Sequence, residues 1–179
     1  PTISSALLKL YDSYIKLKDG ESISSKGYTT SFKPTPFETV RKFLEASKNY
    51  FPSLEQASLS IRTEAKIEDQ SSIYYKLCDY LEKKLNIKVK VLPKSIMEEL
   101  FSRNDQHRSR ILISEALDIP EKTFQISSQI ALIKFENKID QIISKSNLTD
   151  KEEKYLLKIT LANYFGTALI MPYDSFKES

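Results

Sequence analysis

The sequence predicts an α+β domain that is mostly helical and has a small β-sheet. Several segments repeat their apolar residues at helical spacing, and helix-start signals precede most of them. Only two short stretches, 87–91 and 110–114, have strand character. With 179 residues, 40% of them hydrophobic, the chain can bury the core of one domain that carries an appendage.

The N-terminal part predicts a connector helix followed by a linker. Residues 2–18 are amphipathic, and residues 19–34 hold two of the three glycines of the chain. The apolar residues of the helix recur at alternating spacings of four and three, which is typical of coiled coils. They are Ile3, Leu7, Leu10, Tyr14 and Leu17. This seam predicts either a homodimer contact or a helix that lies on its own domain. We therefore divide the chain into residues 1–30 and a main domain of residues 31–179.

Helix-start signals place the first helices of the main domain. Thr35–Glu38 has the residues of a capping box with proline at the first helical position, and this helix stops before Pro52. Ser53–Gln56 resembles a second capping box and predicts a helix to about Arg62. A third helix is expected over residues 72–85.

The two expected strands follow. Residues 87–91 alternate strictly between apolar and lysine, which predicts a half-buried strand that Pro93 ends. A short helical or irregular turn is expected over 96–101. Residues 102–110 are polar and basic, and Arg110–Ser114 predicts a second strand beside the first.

Two long helices are expected to form the centre of the domain. The first opens at Pro120 and runs to about Ser146. A third capping box, Thr149–Glu152, opens the second. Its residues 159–170 are apolar nearly all round, which predicts burial, and Met171-Pro172 ends it.

Composition excludes several classes of site. One cysteine and one histidine, Cys78 and His107, cannot assemble a structural Cys/His zinc site. There is no transmembrane segment, signal peptide or Gly-rich phosphate loop. We therefore expect a cytoplasmic protein without a resident cofactor. The net charge of +3 is too small to indicate a nucleic-acid surface.

The two central helices carry a pattern that has a known counterpart. The segments Phe124–Leu132 and Leu161–Tyr173 resemble the central helices of the ImmA/IrrE family of metallopeptidase-like domains. That family reads F-T-x-A-H-E-x-x-H on one helix and E-A-N-x-F-A-x-x-L-L-M-P on the other. Its two histidines bind zinc from one helix face, and its glutamate activates the water on the metal.

This chain differs from the family at the zinc-binding positions. Ser128 stands for the first histidine, Gln129 for the glutamate and Leu132 for the second histidine. Leu161 stands for the carboxylate that comes before Ala-Asn on the second helix. Leucine cannot bind zinc and an amide cannot act as a general base. The resemblance therefore implies a degenerate zincin-like domain that is not an enzyme.

The resemblance extends over most of residues 3–176. The segment Val40–Leu54 is similar to V-R-x-F-(F/L)-x-x-x-x-N-Y-(I/F)-P-x-L, and Arg103–Leu117 is similar to R-x-D-x-x-R-x-R-x-L-(I/L)-S-E-x-L. These patterns are typical of bacterial short-chain fatty acyl transcriptional regulators with an XRE-type helix-turn-helix, which include propionate-catabolism regulators. Members of that group also have a DNA-binding head and a C-terminal domain. We therefore expect a fragment that contacts DNA only through the missing head.

This second resemblance implies an effector-sensing domain with a short-chain acyl-coenzyme A as ligand. A phosphorylated carrier needs cations, and Arg supplies forked donors for phosphate. The candidate ligand residues are Arg41, Tyr50, Arg103, Arg108, Arg110, Ser128, Gln129 and Tyr164. Each also has a purely structural interpretation, since the arginines could be solvated or ion-paired and the others could be core residues. The alternative functions are a protein-interaction module of a repressor or antirepressor system, and a hydrolase of unrecognised type.

Overall fold

The computed structural model describes residues 35–69, 71–98 and 100–172. Seven helices and three strands lie in these ranges. The helices are α1 Pro36–Ala46, α2 Pro52–Glu64, α3 Ile73–Leu85, α4 Lys94–Met97, α5 Ile119–Lys134, α6 Glu136–Ser144 and α7 Lys151–Ile170. The strands are β1 Lys88–Leu92, β2 Ser102–Asp105 and β3 Arg110–Ser114. The expected fold class, mostly helical with a small sheet, is confirmed.

The sheet has the strand order β1-β3-β2. β1 and β3 are parallel, with Lys88 opposite Arg110, and β2 joins the other side of β3 in antiparallel orientation. β3 is therefore the central strand, and its Ile111 and Ile113 are fully buried. The parallel pair requires a crossover, which α4, β2 and the 3-10 turn Gln106–Arg108 supply.

Helices α5 and α7 form the centre of the domain and pack against each other. α1 and α2 pack on α7, while α3 and the sheet pack on α5. The contact faces are apolar and fully buried, for example at Ile126 and Ile130 of α5 and at Leu157 and Phe165 of α7. Six of the residues 159–170 are buried, while Asn163 and Thr167 are exposed, so the second central helix is buried on one side and not all round.

Several expected helix ends are confirmed and two are corrected. The capping box at Thr35 is present, with both reciprocal hydrogen bonds. The capping box expected at Ser53 was wrong, because α2 already begins at Pro52 and its N-cap, Phe51, has no side-chain cap. The one expected at Thr149 was wrong by a residue: the N-cap is Asp150, whose carboxylate accepts from two backbone N–H groups.

The first central helix is not continuous. It begins at Ile119, where Asp118 and Glu121 form a capping box, and ends at Lys134. Phe135 adopts φ −118° and ψ 20°, leaves the helical conformation, and separates α5 from α6. The expected single helix to Ser146 is therefore two helices, and the break buries the Phe135 ring against Phe165 of α7.

The sheet also differs from the expectation. β1 begins one residue later than expected, and Val91 is 46% exposed, so the alternation of burial is incomplete. β2 was not expected at all, since residues 102–105 are polar. The connector helix, its seam and the linker lie outside the described residues. Among the described residues, no helix has both the length and the apolar character needed to cross a membrane.

Candidate functional site

The positions that carry zinc ligands in the resemblance lie at the contact between α5 and α7. Ser128 is 5% exposed, Leu161 is fully buried, and Leu132 packs against the core. None of these side chains is a nitrogen, thiolate or carboxylate donor. The part of the chain that the structure describes also has no group of three His, Cys, Asp or Glu side chains placed to hold a metal. The residues present therefore do not fit the zinc ion that the fold implies.

Helices α5 and α7 pack closely against each other at the position where the family holds its metal. A Cβ atom built on Gly166 of α7 would lie 2.7 Å from the Oγ atom of Ser128 and 3.3 Å from its backbone nitrogen. The Ser128 hydroxyl has no hydrogen-bond partner among the described residues. A longer side chain at position 128 would meet the backbone of α7. Helices α5 and α7 are thus closed against each other where a zincin holds its metal.

Gln129 belongs to a small polar cluster between β2 and α5. The Ser102 hydroxyl donates to Gln125 Oε1 at 2.7 Å and accepts from Gln129 Nε2 at 3.3 Å. Gln129 stands where the family has its general base, and here its amide anchors the strand to the helix. Sequence reasoning missed Ser102 and Gln125, because their partners are 23 to 27 residues away in the chain.

Tyr164 forms the floor of a cleft at the C-terminal part of α7. Its hydroxyl accepts from the Phe51 backbone N–H at 3.3 Å and donates to the Glu55 carboxylate. Burial, and then the hydrogen bond to Glu55, raise the pKa of Tyr164 well above its usual value. The phenol, which is protonated at neutral pH even at its ordinary pKa, therefore stays protonated further into the alkaline range.

The cleft has a volume of about 290 Å³. Its wall is the loop between α1 and α2, in which Lys48 and Asn49 both adopt positive φ angles of 54° and 50°. That conformation is uncommon outside glycine and is tolerated best by asparagine. The lining residues are Lys48, Asn49, Tyr50, Glu55, Tyr164, Thr167, Ala168 and Met171. Tyr50 and Tyr164, both expected from the sequence, are thus brought together.

The four candidate arginines are elsewhere. Arg41 is on the exposed face of α1, pairs with Glu45 at 2.9 Å, and does not line the cleft. Arg110, at the start of β3, pairs with Asp105 at 2.8 Å, and this hydrogen bond lowers the pKa of the Asp105 carboxyl. Arg103 on β2 and Arg108 in the 3-10 turn are exposed.

A charged cluster that sequence reasoning missed ties α2, α3 and α5 together. Lys134 Nζ donates to Glu64 Oε2 at 2.8 Å and contacts the Tyr80 hydroxyl at 2.6 Å, and that hydroxyl donates to Glu64 at 2.9 Å. The hydrogen bond from Lys134 lowers the pKa of Glu64. Burial raises the pKa of Tyr80. No local pattern could reveal this cluster, since 16 to 70 residues separate its members.

A family model matches the part of the chain that contains the sheet and the two central helices. The model of the IrrE N-terminal-like domain, a peptidase family, matches residues 82–179, and the chain belongs to this family. The resemblance found in the sequence is therefore confirmed.

Three curated proteins that are similar to this chain are regulators. The chain is 26% identical over 144 residues to the HTH-type transcriptional regulator PrpR of Mycobacterium tuberculosis, covering 80% of this chain and 29% of that protein. It is 22% identical over 146 residues to RamB, an HTH-type transcriptional regulator of the same species, covering 80% of this chain and 30% of RamB. It is 21% identical over 148 residues to the propionyl-CoA carboxylase regulator of Cereibacter sphaeroides, covering 82% of this chain and 30% of that protein.

A solved structure supports the same grouping. A Mycobacterium tuberculosis transcriptional regulator superposes with a TM-score of 0.75 at 26% sequence identity, over 81% of this chain and 43% of that one. The chain thus spans about three tenths of the length of the curated relatives that it matches.

Proposed function

We propose that this chain is the effector-sensing domain of a bacterial transcriptional regulator. In this proposal it binds a short-chain acyl-coenzyme A and relays binding to a helix-turn-helix DNA-binding domain outside this sequence. The observation that carries the proposal is the closed contact of Ser128 with Gly166 at the family's metal position. A peptidase-family fold that has lost its ligands and its metal space, and whose relatives are transcriptional regulators, is better suited to binding than to hydrolysis.

The cleft at Tyr50 and Tyr164 is the candidate acyl site. Its volume of about 290 Å³ is near the lower limit of small-molecule pockets, which run from about 300 to 1,000 Å³. It suits an acyl group of a few carbons, with the rest of the carrier lying on the surface. Ala168 and Met171 offer apolar contacts, and the Thr167 and Tyr164 hydroxyls offer polar ones.

The phosphates of the carrier require cations outside the acyl cleft. Lys48 lies in the cleft wall and is the nearest candidate. Arg41 is available on α1 once its exposed pair with Glu45 opens, which costs little. Arg103 and Arg108 form a second candidate group, while Arg110 is engaged by Asp105.

The position of the cleft also supports a relay. It is formed by the loop between α1 and α2 and by the end of α7, so a ligand there would contact elements from both ends of the domain. A ligand that binds one arrangement of these elements better shifts the population towards it. In the full-length regulator, which we place in the cytoplasm, disrupting Leu7 and Leu10 of the expected seam should change ligand-dependent DNA affinity.

The binding experiment is thermal unfolding of this chain with a series of acyl-coenzyme A esters, with free coenzyme A as the control. A ligand that binds only the folded state adds about 2.7 kcal/mol at a hundredfold excess over its Kd. Thr167→Phe should fill the cleft and abolish the shift. Thr63→Phe is the matched control, because both threonines are exposed on helices and donate to the carbonyl four residues earlier.

The outcomes separate the hypotheses. A rise in Tm that depends on acyl length, and that only Thr167→Phe removes, supports the acyl site in the cleft. A rise that both variants retain would place the ligand elsewhere, with Arg103 and Arg108 tested next. If no ester shifts the Tm of this chain or of the full-length protein, acyl sensing is wrong. Added zinc with a casein cleavage assay tests the proposed lack of hydrolysis, and zinc-dependent cleavage would refute it.

A further inference from the structure

The face of the sheet that is turned away from the core carries a group of cations. Side chains alternate between the two faces of a strand, and residues opposite each other in the register share a face. Ile111 and Ile113 of β3 are fully buried, and Ser102 of β2 bonds to α5, so these residues mark the inner face. The remaining residues of the three strands form what we call the outer face. They are Lys88, Lys90, Leu92, Arg103, Asp105, Arg110, Leu112 and Ser114.

The charged side chains of the outer face lie in two adjacent rows that cross the three strands. In the order β1, β3 and β2, the first row is Lys88, Arg110 and Asp105, and the second is Lys90, Leu112 and Arg103. Neighbouring strands are about 4.8 Å apart, and side chains on one face of a strand follow each other at about 6.6 Å. Arg108 adds an exposed cation from the 3-10 turn that joins β2 to β3. Strand pairing thus collects cations that are distant in the chain.

Two carboxylates contact these cations and leave most of them available. Asp105 pairs with Arg110 at 2.8 Å, and both side chains are mostly buried. Glu82 lies 3.7 Å from the Lys88 ammonium, but these side chains are 60% and 67% exposed, and such pairs contribute little. The other three cations are in no ion pair within residues 35–69, 71–98 and 100–172. They are Lys90, Arg103 and Arg108.

The outer face concentrates the charge of the chain. Its five cations and the two carboxylates that contact them give a charge of +3, which equals the net charge of all 179 residues. Composition alone could not indicate a nucleic-acid surface, because the register of the strands decides where these cations lie.

The outer face has little apolar surface to offer a protein partner. Leu112 at its centre is only 8% exposed and Ser114 only 3%. Phe101, just before β2, is exposed, but it lines a groove together with Phe124 of α5. The centre of a protein–protein interface is apolar or aromatic, whereas cations and hydrogen-bond donors suffice to hold phosphates. The residues present therefore favour a phosphate backbone over a protein segment.

The spacing of the cations also suits a phosphate backbone. Lys88 and Lys90 are separated by about 6.6 Å along β1, which is close to the distance between consecutive phosphates of one nucleic-acid strand. Arg103 lies two strand spacings from Lys90 and can hold a phosphate with its forked donors.

We propose that the outer face of the sheet contacts the phosphate backbone of DNA without reading its sequence. The contacts are made by Lys88, Lys90, Arg103 and Arg108. In a regulator whose DNA-binding head is on the operator, a second surface of the same chain meets the neighbouring DNA at a high effective concentration, so a weak contact is sufficient. This contact adds to the one expected through the missing head. The inference does not depend on acyl-coenzyme A binding.

The test measures binding of the whole chain to a labelled DNA duplex of about 20 base pairs and arbitrary sequence, by fluorescence anisotropy. At 50 mM KCl we expect a Kd of about 1–100 μM, in the range of sequence-independent binding. Four phosphate contacts predict that the affinity falls about a hundredfold between 50 and 200 mM KCl. No binding at 50 mM KCl, or binding that salt does not weaken, would overturn the proposal.

Two double variants with the same change in net charge test the location. Lys90→Gln with Arg103→Gln should weaken binding at least tenfold and make the salt dependence shallower by about two contacts. Lys42→Gln with Lys154→Gln is the matched control, because these lysines are exposed on α1 and α7, away from the sheet. It should change the Kd less than twofold. Equal effects of the two double variants would mean attraction by net charge alone and would refute the site.

Two competitors test the kind of ligand. Poly-glutamate, at the same concentration of charges, should displace the duplex at least tenfold less well than unlabelled DNA does. Equal displacement would overturn the proposal, since the face would then accept an acidic polypeptide as readily as DNA. Free coenzyme A at 1 mM should leave the duplex bound, and its displacement of the duplex would assign the face to the carrier phosphates instead of DNA.

Discussion

The contact between Ser128 and Gly166 makes a quantitative prediction about helix packing. In Gly166→Ala, the new methyl group meets Ser128 Oγ at 2.7 Å, well inside van der Waals contact. Overpacking of this kind costs about 1–3 kcal/mol. Alanine favours a helix interior over glycine by about 1 kcal/mol, which offsets part of that cost. We expect a net destabilisation of about 1 kcal/mol.

A double-mutant cycle isolates the cause. Ser128→Ala removes a buried hydroxyl that has no partner among the described residues, so by itself it should be neutral or stabilising by up to about 1 kcal/mol. In that background Gly166→Ala loses its main clash and should be neutral or slightly stabilising. The coupling free energy should therefore be about 1–2 kcal/mol.

Urea unfolding of the four proteins measures the cycle. Ser127→Ala is the matched control, because the neighbouring Ser127 hydroxyl is buried and donates to Thr123 O at 2.8 Å. It should destabilise by about 1 kcal/mol and show no coupling to Gly166. Equal effects of Gly166→Ala with Ser128 and with Ala at that position would refute a closed contact between α5 and α7.

Three further predictions concern polar side chains that join helices. Lys134→Met should lower the free energy of unfolding by about 0.5–1 kcal/mol at pH 7, since the pair is partly exposed. Because the pKa of Glu64 is lowered in the folded state, this carboxylate stabilises the fold fully above the pKa of the unfolded carboxyl, and the stabilisation is lost as the pH falls through the folded pKa. The destabilisation caused by Lys134→Met should therefore be smaller at pH 3 than at pH 7. Tyr164→Phe should cost about 1–3 kcal/mol, because a backbone N–H at the start of α2 loses its acceptor. Arg62→Met should cost about 1.5 kcal/mol, because the guanidinium no longer donates to the last turn of α7.

Urea titrations provide the measurements for these variants, with controls from the same chain. Tyr155→Phe changes a 67% exposed tyrosine on the same helix and should stay within about 0.5 kcal/mol of the parent. A loss for Lys134→Met that is identical at pH 7 and pH 3 would contradict the role of Glu64. Equal effects of the two tyrosine variants would contradict the role of the Tyr164 hydroxyl.

Local signals in the sequence predicted the parts of the fold that local chemistry decides. The capping box at Thr35 and the strand at residues 110–114 were confirmed because short-range hydrogen bonding and residue type determine them. The break at Phe135 was missed because no proline or glycine marks it. It follows from burying that ring on a helix 30 residues further along the chain. β2 was missed because tertiary pairing with β3 makes a strand out of four polar residues.

For the candidate site, too, the sequence predicted positions along the chain but not the tertiary contacts between them. The motif resemblance singled out Ser128 and Gln129 on α5 and Tyr164 on α7, because family patterns fix positions along each helix. It could not identify their partners. Glu55 approaches Tyr164 across 109 residues of chain, and Gly166 reaches Ser128 only when two helices pack together. The ligand roles of all eight candidate residues remain predictions.

The arrangement of α1 and α2 on α7 affects how the chain acquires its structure. These helices are separated from α7 by the whole sheet and by α5, yet their main packing contacts are with α7. During synthesis, residues 36–64 leave the ribosome long before residues 151–170 exist. Helices α1 and α2 are therefore synthesised before the helix on which they pack, as is common when contacts span much of a chain. A polypeptide cut before residue 150 would lose the partner of both its first helices, so the domain cannot be divided there into two halves that are stable separately.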